Sequence, residues 1–419
     1  MNITNIIKGN IINPVDRLKT EYTENGALVI KNGIIEDILT FAEAQKKYPN
    51  YNIIDYSEKY ISPGFIDNHL HIPQVNQRAR YGENLLDWLN KYILKAEESF
   101  ENPEVAEREI RACINALITC GTTTAVMYSS HHYKATDMAF ELFEKSGLKA
   151  FIGKVMMDFS LTDNKMDSTD QSMRESYDLY KKWNKRDNNR LQYIFAPRFG
   201  PACTLKMLTE LGKIAQTEDI YIQTHLSETK DEIEQTLDLF FDFKNYTEVY
   251  NKTGILTDKT ILGHCIHISD AEFDIIKNAA SKIAHCPSSN FFLKSGRFDL
   301  KKAERWGIEI GLGSDVGAGP SFSMFDVMKS MNYIQPYHIF PQKTFYYATL
   351  GNAKLLGIDK TTGNFSKGKD ADFIVVNVKR GYGSFTFANV TDLLAYLIYL
   401  GHPGFIEDMY VRGRKISHI

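Results

Sequence analysis

Eight short apolar segments, separated by longer amphipathic stretches, constrain this chain more than any other feature. They lie at 60–66, 122–128, 149–157, 192–197, 221–225, 260–264, 281–286 and 308–314. Parallel strands need crossovers of about a dozen residues or more, and the helical patterns between these segments supply them. Eight such units close on themselves, so an α/β fold is expected, a (β/α)8 TIM barrel over residues 61–365. The flanks differ. Residues 3–60 alternate like strands, and Asn32-Gly33 between apolar runs predicts a tight hairpin. Strand character returns in GKDADFIVVNV from Gly368 and in GFIEDMYVRGRKI near the C-terminus. Short sheets need a partner for their apolar face, so residues 1–60 and 366–419 are expected to build one small β-sandwich beside the barrel.

Basic and acidic residues nearly cancel, 49 against 52, which argues against nucleic acid or an anionic membrane as partner and for a small molecule. No stretch approaches the ~18 uninterrupted apolar residues of a membrane span. The opening MNITNIIKGNIINPVD lacks the basic start and apolar core of a signal peptide. The cysteines at 113, 120, 203, 265 and 286 lack metal-site or redox spacing and read as buried thiols in a reducing compartment. A soluble, unprocessed, cytoplasmic protein is expected.

ISPGFIDNHLHIPQ sets His69 and His71 two residues apart at the end of the first barrel segment, where strand alternation turns both to one face. Alone, the pair is also consistent with surface or core histidines. Three further strand ends narrow the choice: His225 closes IYIQTHLSE, His264 closes TILGHC, and Asp315 follows IGLGS. All fall on the C-terminal rim, where barrel active sites are built. Imidazoles with one carboxylate suit zinc or another borderline divalent metal better than magnesium or calcium, which prefer oxygen.

PGFIDNHLH, the strand-end histidines and GLGSD together resemble the amidohydrolase superfamily along nearly the whole chain. More narrowly, HIPQ, LLDWLNKY, GTTTA, APRF, THLSE, AHCPSSN and GLGSD resemble the guanine deaminases in order and spacing. The resemblance implies hydrolytic deamination of guanine to xanthine and ammonia at one zinc ion per subunit. It implies His69, His71, His225 and Asp315 as ligands, with His264 bonded to the bound water or at the edge of coordination. It also suggests a homodimer, for which the 23 Tyr and 25 Phe offer apolar surface. Two-metal members carry a carbamylated lysine at the end of the fourth strand, whereas here that strand ends APRFG. Lys154, within KVMMD, is read instead as a buried ion pair or hydrogen bond, so a mononuclear site is expected.

Zinc lowers the pKa of bound water toward ~7, so hydroxide is expected to attack C2 of guanine. Glu228, three residues past His225, is the candidate proton shuttle to N3 and the departing amine; a solvated glutamate opening the next helix is the plainer alternative. Asp315 is expected to act as both ligand and first proton acceptor. Arg198 offers only donors, which suit guanine O6 and N7, and Gln74 can donate and accept. The resemblance assigns both to base recognition, against a strand-end salt bridge and a solvated amide. Phe199 is read as packing on the purine, Trp88 equally as the opposite wall or as a core or lid residue, and His225 and Glu228 as further substrate contacts. Asn290 and Ser288 are read as loop supports, His285 as a core histidine, and the polar segment 158–190 as helices or a lid. A thioadenosine-type deaminase or an s-triazine aminohydrolase shares the metal residues, and an inactive barrel scaffold is the non-enzymatic alternative.

Overall fold

The computed structural model describes residues 4–83, 85–159, 167–383 and 385–419. The N-terminal strands are β1 (Thr4–Pro14), β2 (Thr20–Lys31), β3 (Ile34–Thr40) and β4 (Asn52–Pro63). The next nine are β5 (Phe65–His71), β6 (Thr122–Tyr128), β7 (Lys149–Gly153), β8 (Val155–Met156), β9 (Leu191–Pro197), β10 (Tyr221–Leu226), β11 (Thr260–His264), β12 (Lys282–His285) and β13 (Ile310–Leu312). The chain returns in β14 (Phe373–Val376), β15 (Ile406–Val411) and β16 (Arg414–Lys415).

Both ends of the chain share one seven-stranded sheet, ordered β16-β15-β14-β4-β1-β2-β3. The expected hairpin joins β2 to β3: Asn32 (φ 53°) and Gly33 (φ 83°) both take left-handed backbone, as a primed turn requires. The sheet rolls so that its distant strands meet. Ile35 of β3 and Tyr410 of β15 enter one apolar core with Ile7, Leu28, Phe373 and Val375, and the Ala371 amide donates to Gly33 O at 2.8 Å.

The other strands pair in parallel from β5 through β13, the arrangement of a (β/α)8 barrel. The ring closes where the Asp315 amide donates to His69 O and the His71 amide to Val316 O, both at 2.7 Å. Deeper down, the Asn352 side chain stitches the same seam. Its Nδ2 donates to Ile66 O at 2.6 Å and Leu312 O at 2.9 Å, and its Oδ1 accepts from the Leu312 amide at 2.7 Å. Around it Ile66, Val126, Phe151, Ile194, Ile261 and Ala284 fill the interior against Ala353, Leu355 and Leu356. The apolar end is therefore sealed, and polar chemistry is confined to the opposite rim.

The first barrel strand begins at Phe65, later than its apolar run indicates, because Tyr60–Pro63 pairs with β14 in the terminal sheet. Gly64 makes the switch, and a Cβ there would lie 2.2 Å from the Thr123 side chain. Within the segment 158–190, residues 160–166 lie outside the described residues, and a helix spans Thr169–Trp183. That helix packs on the outside of the barrel, where Trp183 stacks on Phe140 at 5.1 Å. Among the described residues no helix is long and apolar enough to cross a membrane.

Replacing Asn352 by Ala strands three buried backbone groups at the seam, each worth roughly 1–3 kcal/mol. The expected outcome in urea unfolding is a stability loss of about 2–4 kcal/mol; an unchanged midpoint would show that the seam closes without this side chain.

Candidate active site

The barrel rim gathers five polar side chains from four strand ends. His69 and His71 come from β5, His225 from β10, His264 from the last residue of β11, and Asp315 from just past β13. The Nε2 atoms of His69 and His71 lie 3.4 and 3.3 Å from Asp315 Oδ1. The Nε2 of His225 comes within 3.2 Å of His71 Nε2. One donor atom from each of His69, His71, His225 and Asp315 falls within 4.8 Å of all the others. His264 Nε2 stands further off, 3.7 Å from Asp315 Oδ2 and 3.5 Å from Glu228 Oε2.

Backbone conformation brings these groups inward. Ser227 (φ 51°), His264 (φ 67°), Cys265 (φ 52°) and Asp315 (φ 50°) all adopt left-handed backbone without being glycine, at about 1–3 kcal/mol each. Such strain is characteristic of sites held by their surroundings. Asp67 helps hold this one, its Oδ1 accepting from the Ser314 amide at 2.9 Å and the His69 amide at 3.2 Å. Burial pushes the Asp67 carboxyl up to about 7. Gly313 and Gly263 leave room for the ligand ring, because a Cβ on either would stand 2.6 and 2.8 Å from His69 atoms.

The electrostatics fit a divalent cation. Burial lowers His69 to about 4 and, with the neighbouring histidines, takes His225 well below its usual range, so both rings are neutral and able to offer a lone pair to a metal. Burial raises the Asp315 carboxyl, but the close imidazoles of His69, His71 and His264 outweigh it and hold Asp315 well below the usual carboxylate range. A buried carboxylate among neutral rings needs a positive partner. Several of the nitrogens also lack protein partners, among them His69 Nε2 and His264 Nε2. Carbonyl oxygens only accept, so the 2.7 Å contact from His225 Nδ1 to Arg198 O puts the ring proton on Nδ1 and the free lone pair on Nε2. Asn290 does the same for His264, its Oδ1 lying 2.8 Å from Nδ1. Sequence reading gave Asn290 only a loop role; it also orients a site histidine. Burial works against a charged His264, yet Glu228 and Asp315 together raise its pKa.

Glu228 is buried rather than solvated. Ser295 Oγ donates to its Oε1 at 2.8 Å, and burial raises its carboxyl. Beside it opens a partly enclosed cavity. Gln74, Trp88, Arg198, Phe199 and Glu228 all reach it, together with His71, His225 and Asp315 of the cluster. Trp88 serves in both ways considered, packing with Leu85, Ile93 and Leu293 while facing the cavity. Arg198 likewise forms a salt bridge, to Glu97, and still lines the cavity.

Lys154 is fully buried and paired with Asp167 at 2.8 Å and Glu175 at 3.3 Å, away from the cluster. His285 is a core histidine, lowered to about 3 by burial and packed on Phe298. Sequence reasoning missed Glu97, Ser295, Tyr128 and Glu232. Tyr128 stacks on His71 with ring centroids 4.6 Å apart, and Glu232 lines the cavity. For Tyr128 alone there was a signal, its position at the end of a barrel strand.

Residues 60–415 match the model of the Amidohydrolase family. The chain is 35% identical to guanine deaminase of Escherichia coli (strain K12), with 94% of this chain and 92% of that one covered. It is 32% identical to guanine deaminase of Dictyostelium discoideum, over 99% and 98% of the two chains. The solved guanine deaminase from C. acetobutylicum, with guanine bound in its active site, superposes with a TM-score of 0.92 at 31% identity, covering 99% and 100%. Rim geometry, fold and similarity along the whole length agree: this chain belongs to the amidohydrolase family, within its guanine deaminase group.

Proposed function

We propose that this chain hydrolyses guanine to xanthine and ammonia with one zinc ion held by His69, His71, His225 and Asp315. The observation that carries the reading is the shared cavity, in which His71, His225 and Asp315 of the cluster, the buried Glu228 and the donor-only Arg198 face one space. A zinc ion bound there would lower the pKa of a water toward ~7 and so ease its deprotonation.

The chain's own residues handle position and protons. Trp88 and Phe199 wall the cavity and exclude bulk water from a flat ring. Arg198 donates to O6 and N7, acceptors that adenine only half supplies, since it carries an amino group at C6. Gln74 reads a neighbouring edge. Asp315 accepts the first proton as the water oxygen bonds to C2. Glu228, protonated at the start, gives its proton to N3, takes the proton of the new C2 hydroxyl and delivers it, as the C2–N bond breaks, to the amine that leaves as ammonia; the proton held by Asp315 then returns to Glu228. His264, oriented by Asn290 and close to both carboxylates, stabilises the charge that passes between them.

A reducing, cytoplasmic setting is supported by five free cysteines, all buried. For a homodimer, support comes from Tyr333 and Leu400, apolar side chains 70% and 53% exposed on helices that pack together.

Ammonia release from guanine, adenine, guanosine, a thioadenosine and an aminotriazine, with products weighed, tests the substrate. Turnover concentrated on guanine with xanthine formed is expected; turnover of another amine with guanine ignored contradicts the pocket reading. Glu228→Gln is expected to lower kcat by about 100-fold or more while zinc content holds. Ser295→Ala, which frees Glu228 Oε1, is expected to lower kcat by about 3- to 10-fold with KM little changed. Full-speed turnover by Glu228→Gln would remove it as the shuttle.

A further inference from the structure

Glu97 stands behind the cavity rather than in it. It lies on the short helix Leu94–Glu98 and is 1% exposed. A buried carboxylate is tolerated only when paired and hydrogen-bonded, and Glu97 has two partners. One oxygen takes Arg198 Nη1 in an ion pair, and the other takes Gln74 Nε2 at 3.2 Å. Both partners line the cavity. We propose that Glu97 is the positioning residue that makes Arg198 and Gln74 a single rigid surface for reading guanine. The proposal rests on the guanine reading of this pocket.

The bonding pattern settles what that surface presents. A carboxylate only accepts, so the Gln74 amide must turn its NH2 toward Glu97. On its other side the Gly317 amide donates to Gln74 Oε1 at 3.2 Å, which demands the same orientation. The amide is thereby locked by two partners of opposite kind. Arg198 is constrained in the same way: one nitrogen is committed to Glu97, so the remaining donors point in a fixed direction. Its positive charge is also balanced beneath the pocket. The cavity therefore offers directed donors without a net cation from this pair, which suits a neutral base carrying a ring carbonyl better than an anion.

Removing the charge from Glu97 unlocks both partners and leaves Arg198 buried and unpaired. The effect falls on ligands that use the O6 contact. Glu97→Gln, compared with wild type, is therefore assayed for kcat and KM on guanine and for competitive inhibition by 2-aminopurine, which is guanine without the C6 oxygen. The expected result is a rise in KM for guanine of about 10- to 100-fold with kcat within about 5-fold, unchanged zinc content, and a 2-aminopurine inhibition constant that rises at least about 3-fold less than that KM, because 2-aminopurine keeps N7 but not O6. Glu97→Asp, which keeps the charge but withdraws it by one methylene, is expected to fall between and carries the same comparison should Glu97→Gln not fold. Equal losses for guanine and 2-aminopurine, a loss confined to kcat, or unaltered guanine kinetics overturn the positioning role alone. Wild-type protein that ignores guanine overturns the pocket reading and this proposal together.

Discussion

The ionised carboxylate of Asp315, buried at the barrel rim, is the constraint on which the rest of the site depends. Water cannot screen it there, and an isolated buried anion is costly. The protein meets this by surrounding it with imidazole nitrogens rather than with a lysine or arginine. His69 and His225 are held neutral by burial, and His264 stands at a longer distance. That arrangement suits balance of the charge by a divalent cation. The surrounding structure is arranged to make it persist: left-handed backbone at Asp315 and His264, glycines where His69 must pass, and the Asp67 carboxylate tying two rim segments.

Arg198 joins the histidine cluster to the cavity wall. Its carbonyl oxygen fixes the tautomer of His225, and its guanidinium, 27 positions before that histidine, belongs to the pocket wall. A shift of this one residue disturbs both the orientation of His225 and the shape of the cavity wall. Glu97 extends the same logic outward, coupling Arg198 to Gln74 so that neither moves alone. Orientation is built into the resting protein, which reduces the ordering that a bound ring must impose.

The parts legible in the sequence are those with a periodic signature. Eight apolar runs gave the barrel, and histidines at their ends gave the rim, because strand geometry converts position in the run into position in space. The hairpin at Asn32-Gly33 was equally legible, since its turn type selects those residues. What escaped has no local signature. Pro63-Gly64 in ISPGF is a chain-breaking pair, but nothing local says that the strands on its two sides enter different sheets. Four left-handed residues at the site are not glycine, and composition therefore hides them. Glu97 reaches Arg198 across 101 positions and Ser295 reaches Glu228 across 67, contacts that exist only once the fold is formed.

The account turns on a metal ion held by Asp315 and its histidines, and titration of metal-stripped protein with zinc, followed by calorimetry and metal analysis, tests it most directly. The account predicts tight uptake of one ion per chain, a rise in Tm on loading, and loss of both in Asp315→Asn. Uptake as tight in Asp315→Asn as in wild type, or undiminished guanine turnover by protein verified free of metal, would contradict it.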